Sequence, residues 1–228
     1  MDNAILWQIA PSQEQETGLP IPSGQSLQGR DRPVVPSQAA LLIVDVQHGT
    51  FAPHHAHGRP EFHAAVRTRV LPNLIRLVSA WRAKNLEVIY TVIENLTADG
   101  RDRSLDYKLS GIFVAKGSRD AKVLDEIAPA ADDIVLPKTS SSVFNSTNLA
   151  YLLRNIGVQD VFVVGFLTDQ CIDHTVKDGA DLGFYLTCIH DACMAETEAR
   201  HAAALSCFQG YCRMLTTDQV LMLVNQLQ

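Results

Sequence analysis

The chain has 228 residues, of which 46% are hydrophobic and 19% are charged, which is enough apolar material for one large core. Its formal net charge is −6 and it has no dense basic stretch, so we expect neither a nucleic acid nor a membrane surface as a partner. No apolar run approaches the roughly 18 residues of a membrane helix, and the first residues lack a signal-peptide pattern, so we expect a cytoplasmic protein.

Residues 1–38 are predicted to form an irregular N-terminal arm. This segment is rich in Pro, Gln, Ser and Gly and shows no sustained hydrophobic period. Its apolar cluster Ile5, Leu6 and Trp7 favours packing on another surface. Such an arm can be exchanged between subunits, so we expect a homo-oligomer. Residues 39–228 then form one domain.

Apolar segments alternate with helical patterns throughout that domain. The predicted strands are 40–44, 86–93, 133–136, 161–164, 185–190 and 212–215. The predicted helices are 62–81, with Pro72 as the position for a kink, 122–127, 149–156, one beginning at Thr168, 198–208 and 219–227. This alternation predicts an α/β protein with three α/β/α layers around a Rossmann-like, six-stranded parallel sheet. The polar stretch 94–118 is long for a connection, which is typical of a functional or flexible loop.

Three chemically useful residues follow predicted strands. Asp45 closes the first strand, Lys138 follows the third, and Cys171 lies in the first turn of the helix after the fourth. Ligands of open parallel sheets bind beyond the carboxyl ends of the strands, so these side chains should meet at one edge. The helix N-terminus and the lysine should lower the pKa of the Cys171 thiol, and Asp45 can carry its proton to a leaving amine.

The same residues resemble the signature blocks of isochorismatase-like cysteine hydrolases, in the same order. The matching blocks are 42–47 with Phe51, then 137–138 with Ser142, Phe144 and Thr147, then 164–171 with Thr175. The resemblance spans roughly residues 38–215 and implies an isochorismatase-like hydrolase fold with a Cys-Asp-Lys triad that forms a thioester. It also implies a cis peptide at Phe166–Leu167 and an oxyanion hole made by the backbone N–H groups of Leu167 and Cys171.

A missing histidine motif and the presence of Cys171 indicate the subgroup within this family. The nicotinamidase branch carries an Asp-x-His metal motif after the second strand, but residues 91–97 contain no histidine, so we expect no metal and no cofactor. Isochorismatases that cleave vinyl ethers lack the cysteine, so Cys171 favours carbon–nitrogen cleavage. The expected substrate is a small amide or ureide, as for ureidoacrylate, carbamoylsarcosine or maleamate hydrolases.

The predicted substrate contacts are less specific than the triad. By resemblance they are Gln47, Phe51, Tyr107, Phe144 and Thr168, with core packing as the alternative for the aromatic residues. Glu94 either binds a substrate N–H, orients Lys138 or faces water. Arg101, Arg103 and Lys108 either grip a carboxylate or belong to a charged surface loop.

Several residues also have purely structural interpretations. Asp45 alone could be a turn or capping residue, and Lys138 alone could be an ordinary solvated lysine. Two groups lack a functional pattern: the remaining cysteines are expected to be small buried hydrophobes, and the histidines to form a flexible, solvated loop without a metal. The loop follows the Asp45 strand, and the sequence leaves open whether it covers the pocket. The cysteines are Cys188, Cys193, Cys207 and Cys212, and the histidines are His48, His54, His55, His57 and His63.

Two other functions remain open from the sequence. One is vinyl-ether or ester hydrolysis through Asp45 with Cys171 incidental. The other is a catalytically silent binding protein that keeps the fold.

Overall fold

The computed structural model describes Arg30, residues 32–53 and residues 56–226. Most of the predicted arm, including Ile5, Leu6 and Trp7, lies outside these residues, as do His54 and His55 of the predicted histidine loop. The predictions made for the arm and for these two histidines therefore stay predictions. The predicted solvation is wrong for His63, which is buried because it lies in a helix that packs on the core.

The chain forms a six-stranded, fully parallel sheet, as predicted. The strands are β1 Ala39–Val44, β2 Glu87–Ile93, β3 Ile134–Lys138, β4 Asp160–Phe166, β5 Tyr185–Met194 and β6 Arg213–Leu215. Their order across the sheet is β3-β2-β1-β4-β5-β6, and every neighbouring pair is parallel. The order reverses between β1 and β4, which is where a ligand cleft opens in sheets of this kind.

Eight α-helices are found in the described residues. They are α1 Pro60–Ala65, α2 Leu71–Ala83, α3 Leu105–Leu109, α4 Val143–Ser146, α5 Leu149–Asn155, α6 Asp173–Asp181, α7 Glu198–Phe208 and α8 Thr217–Gln226. The predicted short helix over 122–127 is wrong, because the chain forms two separate 3₁₀ turns there, Arg119–Ala121 and Asp125–Ile127.

The irregularity in the long first helix precedes Pro72. A π-helical segment, Val66–Val70, joins α1 to α2, and Pro72 lies in the first turn of α2. A proline has no N–H to donate and its ring crowds the carbonyl of the preceding turn. The wider π turn before Pro72 accommodates the hydrogen bond that the proline cannot donate. The helix then continues to Ala83.

The helices cover both faces of the sheet. Along β1, Leu41 and Ile43 pack into one apolar cluster, whereas Ala40, Leu42 and Val44 pack into the other. Helices α1, α2 and α8 contribute to the first cluster, and α4 to α7 contribute to the second. Because every residue of β1 is buried, the strand is apolar throughout instead of alternating with polar residues. The result is the predicted three-layer α/β/α arrangement.

Gly165 allows β1 and β4 to approach closely beside the cleft. Its φ is +119°, and a Cβ placed there would lie 2.1 Å from the carbonyl oxygen of Val44. We predict that Gly165→Ala lowers the free energy of unfolding by more than about 4 kcal/mol, because both the dihedral angle and the strand spacing must change. Chemical denaturation would measure this loss.

Gly183 provides the matched control. Its φ is +90°, but nothing lies within 4 Å of a Cβ built there. Gly183→Ala should therefore report the backbone strain alone, about 1–2 kcal/mol. Equal losses in the two variants would contradict the importance of the close approach at Gly165.

Candidate active site

The three residues singled out from the sequence meet at the carboxyl edge of the sheet. Asp45 follows β1 directly, and Cys171 lies in a π-helical turn, Thr168–Ile172, that precedes α6. Lys138 is the last residue of β3, so it belongs to that strand and does not follow it as predicted. Its Nζ lies 2.8 Å from Asp45 Oδ2 and 3.3 Å from Cys171 Sγ. All three side chains are buried.

Asp45 is held by the neighbouring strand. Its φ is +56°, a left-handed conformation that turns the chain away from β1. Its backbone N–H donates to the carbonyl of Thr91 at 3.1 Å, and the Thr91 hydroxyl donates to Asp45 Oδ1 at 3.0 Å. Thr91 therefore fixes the carboxylate and leaves Oδ2 directed at the lysine. Sequence analysis missed this residue, although a hydroxyl in the otherwise apolar run 88–93 was a usable signal.

Lys138 carries a fully buried ammonium group with four neighbours. Besides Asp45 and Cys171, these are the carbonyl of Ser140 at 2.8 Å and the Tyr107 hydroxyl at 3.0 Å. Burial is the largest single effect and lowers the pKa of Lys138, but Asp45, Cys171 and Tyr107 together outweigh it and hold that pKa well above its usual value. The ammonium is therefore charged throughout the neutral pH range.

The Cys171 thiol does not have the lowered pKa that the sequence predicts. Burial raises the pKa of Cys171 to about 11, with a further rise from Asp45, and Lys138 only partly offsets these effects. The prediction was wrong because it counted the charges near the sulfur and left out the loss of solvent. The resting thiol is protonated at neutral pH, so a base must remove its proton.

The turn that carries Cys171 begins immediately after β4. The peptide bond Phe166–Leu167 is cis, as the family resemblance implies. The Leu167 carbonyl accepts hydrogen bonds from the N–H groups of Gln170 at 3.0 Å and Ile172 at 3.2 Å. Leu167 and Cys171 both line the cleft. Their predicted role as oxyanion donors stays a prediction.

A cleft of about 680 Å³ opens above the triad. Asp45, Leu167 and Cys171 lie among its lining residues, and its wall also contains ionisable groups from several elements. These groups are Arg59, Asp106, Asp120, Asp169, His174 and Glu196. A cleft of this size holds a small polar molecule next to the sulfur.

Arg59 is a charged residue of the cleft that sequence analysis missed. Its Nη2 donates to the carbonyl of Thr50 at 2.7 Å, and its guanidinium lies over the ring of Phe62. Burial lowers the pKa of Arg59, and Glu196 partly offsets this effect. It lies just before α1 at the end of a long loop, so no strand position predicted it.

Two of the predicted substrate contacts are engaged with protein atoms. The Gln47 side-chain N–H groups donate to the carbonyls of Ile93 at 3.0 Å and Asp120 at 2.8 Å, and its side-chain oxygen accepts from the N–H of Ile93 at 2.6 Å. Gln47 is also one of the residues that line the cleft. Thr168 is fully buried and its hydroxyl lies 2.8 Å from His201 Nδ1. Gln47 therefore braces the strand ends, and Thr168 ties the nucleophile turn to α7.

Two of the predicted aromatic contacts pack against other side chains. Phe144 is buried against Phe184 in the second apolar cluster, whereas Phe51 is partly buried and stacks on His63 at 4.8 Å between ring centres. Neither ring is among the residues that line the cleft, and their predicted substrate contacts stay predictions. Tyr107 is also buried, but its hydroxyl contacts the triad, as described above for Lys138.

The charged residues of the 94–118 loop that were predicted to contact substrate bind the loop itself. Glu94 Oε1 accepts from the N–H of Gly117 at 2.6 Å. Arg103 donates to the carbonyl of Ile112 at 2.7 Å, and Lys108 donates to the carbonyl of Arg101 at 2.8 Å. None of these four side chains lines the cleft. The contacts match the surface-loop interpretation of Arg101, Arg103 and Lys108.

The remaining cysteines include one exception to the predicted burial. Cys188, Cys193 and Cys212 are buried, but Cys207 is exposed, because it lies on the outer face of α7. Within the described residues, no group of three or more His, Cys, Asp or Glu side chains could hold a metal ion. The described part of the chain also contains no helix that is long and apolar enough to cross a bilayer.

The fold and the cleft define the class of protein as an isochorismatase-like α/β hydrolase. The model of the Isochorismatase domain family matches residues 39–219. The chain therefore belongs to the isochorismatase family, as its sequence blocks indicated.

Solved structures agree with this assignment. A cysteine hydrolase from Pseudomonas syringae pv. phaseolicola 1448A superposes with a TM-score of 0.75 at 23% identity, over 85% of this chain and 95% of that one. An isochorismatase family protein from Desulfovibrio vulgaris subsp. vulgaris str. Hildenborough gives 0.70 at 26% identity, over 81% and 98%. N-carbamoylsarcosine amidase from Thermoplasma acidophilum gives 0.64 at 26% identity, over 79% and 97%.

Proposed function

We propose that this protein is a cysteine amidohydrolase that cleaves the carbon–nitrogen bond of a small carboxamide, ureide or carbamoyl compound. The observation that carries the proposal is the position of the Lys138 ammonium, 2.8 Å from the Asp45 carboxylate and 3.3 Å from the Cys171 sulfur at the base of the cleft. A nucleophile, a base and a fixed positive charge are the groups that covalent amide hydrolysis requires.

In the first half-reaction, Asp45 takes the thiol proton as the sulfur attacks the substrate carbonyl carbon. The carbonyl oxygen becomes an oxyanion, for which we assign the Leu167 and Cys171 N–H groups as donors. The protonated Asp45 then gives its proton to the leaving nitrogen, the carbon–nitrogen bond breaks, and ammonia or an amine departs. The acyl group remains on the sulfur as a thioester.

In the second half-reaction, Asp45 takes a proton from water as the water oxygen attacks the thioester carbonyl. The carbon–sulfur bond breaks, the acid product leaves, and the proton returns to the sulfur. Lys138 keeps its charge throughout and stabilises the thiolate at each stage in which it forms. The high pKa of the resting thiol suits this cycle, because proton removal is coupled to attack on a bound carbonyl.

The alternative of vinyl-ether or ester hydrolysis needs only the Asp45 carboxylate. It gives no role to the contact between Lys138 and the Cys171 sulfur, which is why we favour the amidohydrolase. The relative named N-carbamoylsarcosine amidase supports the same choice. A silent binding protein would not need the three groups in contact.

A substrate panel tests the proposal. Wild-type protein should release ammonia or an amine from at least one small amide, ureide or carbamoyl compound, and no vinyl ether or ester should turn over faster. The panel should pair neutral substrates with carboxylate-bearing ones, because the cleft contains both Arg59 and several acidic groups. Substrate should also protect Cys171 from iodoacetamide. Turnover of a vinyl ether that survives alkylation of Cys171 would favour the alternative.

The remaining expectations concern the cell and the assembly. In this proposal the protein binds a small amide or ureide as its substrate. The hydrolysis uses only side chains of the protein and a water molecule. A cytoplasmic location and a homo-oligomer stay predictions. A sedimentation mass near the 25.0 kDa of one chain would contradict the oligomer.

A further inference from the structure

The Lys138 ammonium uses all three of its hydrogens inside the site. Its N–H bonds donate to Ser140 O at 2.8 Å, Tyr107 Oη at 3.0 Å and Cys171 Sγ at 3.3 Å. Asp45 Oδ2 lies 2.8 Å away as the partner of an ion pair, outside hydrogen-bond geometry. The Tyr107 oxygen and the Cys171 sulfur therefore each accept one lysine hydrogen.

The Tyr107 hydroxyl also has a hydrogen of its own to place. The side chain is 2% exposed, and Cys171 Sγ lies 3.9 Å from the hydroxyl oxygen. The oxygen accepts from Lys138, so its hydrogen is directed away from the ammonium. The hydroxyl contacts the Lys138 nitrogen and the Cys171 sulfur; the ammonium has no lone pair, so the sulfur is the partner that can accept this hydrogen.

The position of Tyr107 is set by the segment that follows Lys138. The N–H of Ser104 donates to the carbonyl of Thr139 at 2.8 Å, and the Ser104 hydroxyl oxygen then accepts from the N–H of Tyr107 at 3.2 Å as the cap of α3. Ile112 N donates to the Tyr107 carbonyl at 2.9 Å and closes the other end of the turn. The hydroxyl is therefore anchored beside the lysine, although it comes from α3, 31 residues earlier in the chain.

We propose that Tyr107 is a fourth catalytic residue, whose hydroxyl donates a hydrogen bond to the Cys171 sulfur as the thiol loses its proton. The proposal rests on the proposed function and deepens it. Lys138 polarises the hydroxyl by donating to its oxygen, which makes the O–H a better donor. As negative charge develops on the sulfur, the Tyr107 O–H adds a second donor to the lysine N–H that already points at it. No proton leaves Tyr107, and burial keeps the pKa of this phenol well above its usual value.

The opposite effect of Tyr107 is also physically possible, which makes the test decisive. If the hydroxyl only occupied one of the lysine hydrogens, removing it would free that hydrogen for the sulfur and give a more reactive thiol. If it donates to the sulfur, removing it makes the thiolate harder to form. The two roles therefore change thiol reactivity in opposite directions.

The test is the pH dependence of iodoacetamide alkylation at Cys171 in wild type and Tyr107→Phe, followed by mass spectrometry of the labelled peptide. We expect the midpoint to rise by about one pH unit and the rate below the midpoint to fall about tenfold. The exposed thiol of Cys207, quantified in the same digest, corrects for differences in the amount and age of the reagent. Several ionisable groups surround the nucleophile turn and are unchanged in the variant: Asp45, Lys138, Asp169, His174, Arg200 and His201.

Tyr90→Phe is the matched control. Tyr90 is another buried tyrosine, and its hydroxyl accepts from Arg82 at 3.1 Å in the opposite helical layer. Its removal should leave the alkylation profile unchanged. An unchanged or faster alkylation in Tyr107→Phe would overturn the proposal.

The alkylation readout separates this proposal from the proposed function, since it needs no substrate. If Tyr107→Phe slows alkylation but no amide is hydrolysed, the hydroxyl contacts the sulfur as proposed and the assigned reaction is wrong. If amides are hydrolysed, Tyr107→Phe should lower kcat at least about tenfold with little change in KM, because the bond forms as the thiolate does. A change in KM alone would instead indicate a substrate wall and contradict a catalytic role.

Discussion

Cys171→Ala should lower kcat for the amide substrate by at least about ten-thousandfold, the scale seen when a covalent nucleophile is removed. Without the sulfur no thioester forms, and Asp45 would have to direct water at a bound amide unaided. The side chain is buried and small, so we expect the free energy of unfolding to change by about 1 kcal/mol only. Steady-state ammonia release, with denaturation of the same sample, measures both.

Cys207→Ala is the control for this variant. It makes the same chemical change at an exposed cysteine on α7 and should retain wild-type turnover. Cys171→Ser extends the comparison, because the hydroxyl keeps the shape of the thiol with a much weaker nucleophile. Full activity in Cys171→Ala would contradict covalent catalysis and favour hydrolysis by Asp45 alone.

Lys138→Met should lower kcat by at least about a thousandfold and also destabilise the fold. The ammonium opposes the rise in the pKa of Cys171, so its loss should move that pKa above about 11 and delay alkylation to higher pH. The fully buried Asp45 would lose its partner at 2.8 Å, and breaking a buried ion pair from one side costs about 3–5 kcal/mol. Turnover, alkylation against pH and denaturation test the three effects separately.

A surface lysine provides the comparison. Lys177 forms an ion pair with Asp173 at 2.8 Å one helical turn away, but its side chain is 35% exposed. Lys177→Met should lower the free energy of unfolding by less than about 1 kcal/mol and leave the pH dependence of Cys171 alkylation unchanged. If Lys138→Met were equally mild, the buried lysine would have neither the catalytic nor the structural role assigned to it.

The sequence predicted the sheet well because its signals are local. A strand buried on both faces must be apolar at every position, and β1 and β4 are recognisable from that requirement alone. The topology rule then placed Asp45 and Cys171 at the same edge, where the structure has them. Helix α7 was predicted with its observed bounds, Glu198–Phe208, and in the structure the Thr197 side chain caps its first turn.

Other features of the site could not be predicted, because they arise from contacts between distant segments. Thr91 holds Asp45 from another strand, and Tyr107 reaches Lys138 from a long loop. Phe144 resembled a pocket wall in its block, but whether a ring faces a cleft or a core depends on the helices packed around it.

By itself, the sequence determined the parallel sheet, the family and the three residues placed at the edge of that sheet. Apolar periodicity and strand ends depend only on residues that are neighbours in the chain. Only the tertiary structure decided the protonation of Cys171 and the partners of Lys138. Burial and hydrogen-bond geometry set those properties, and both depend on which remote groups exclude water from the same small volume.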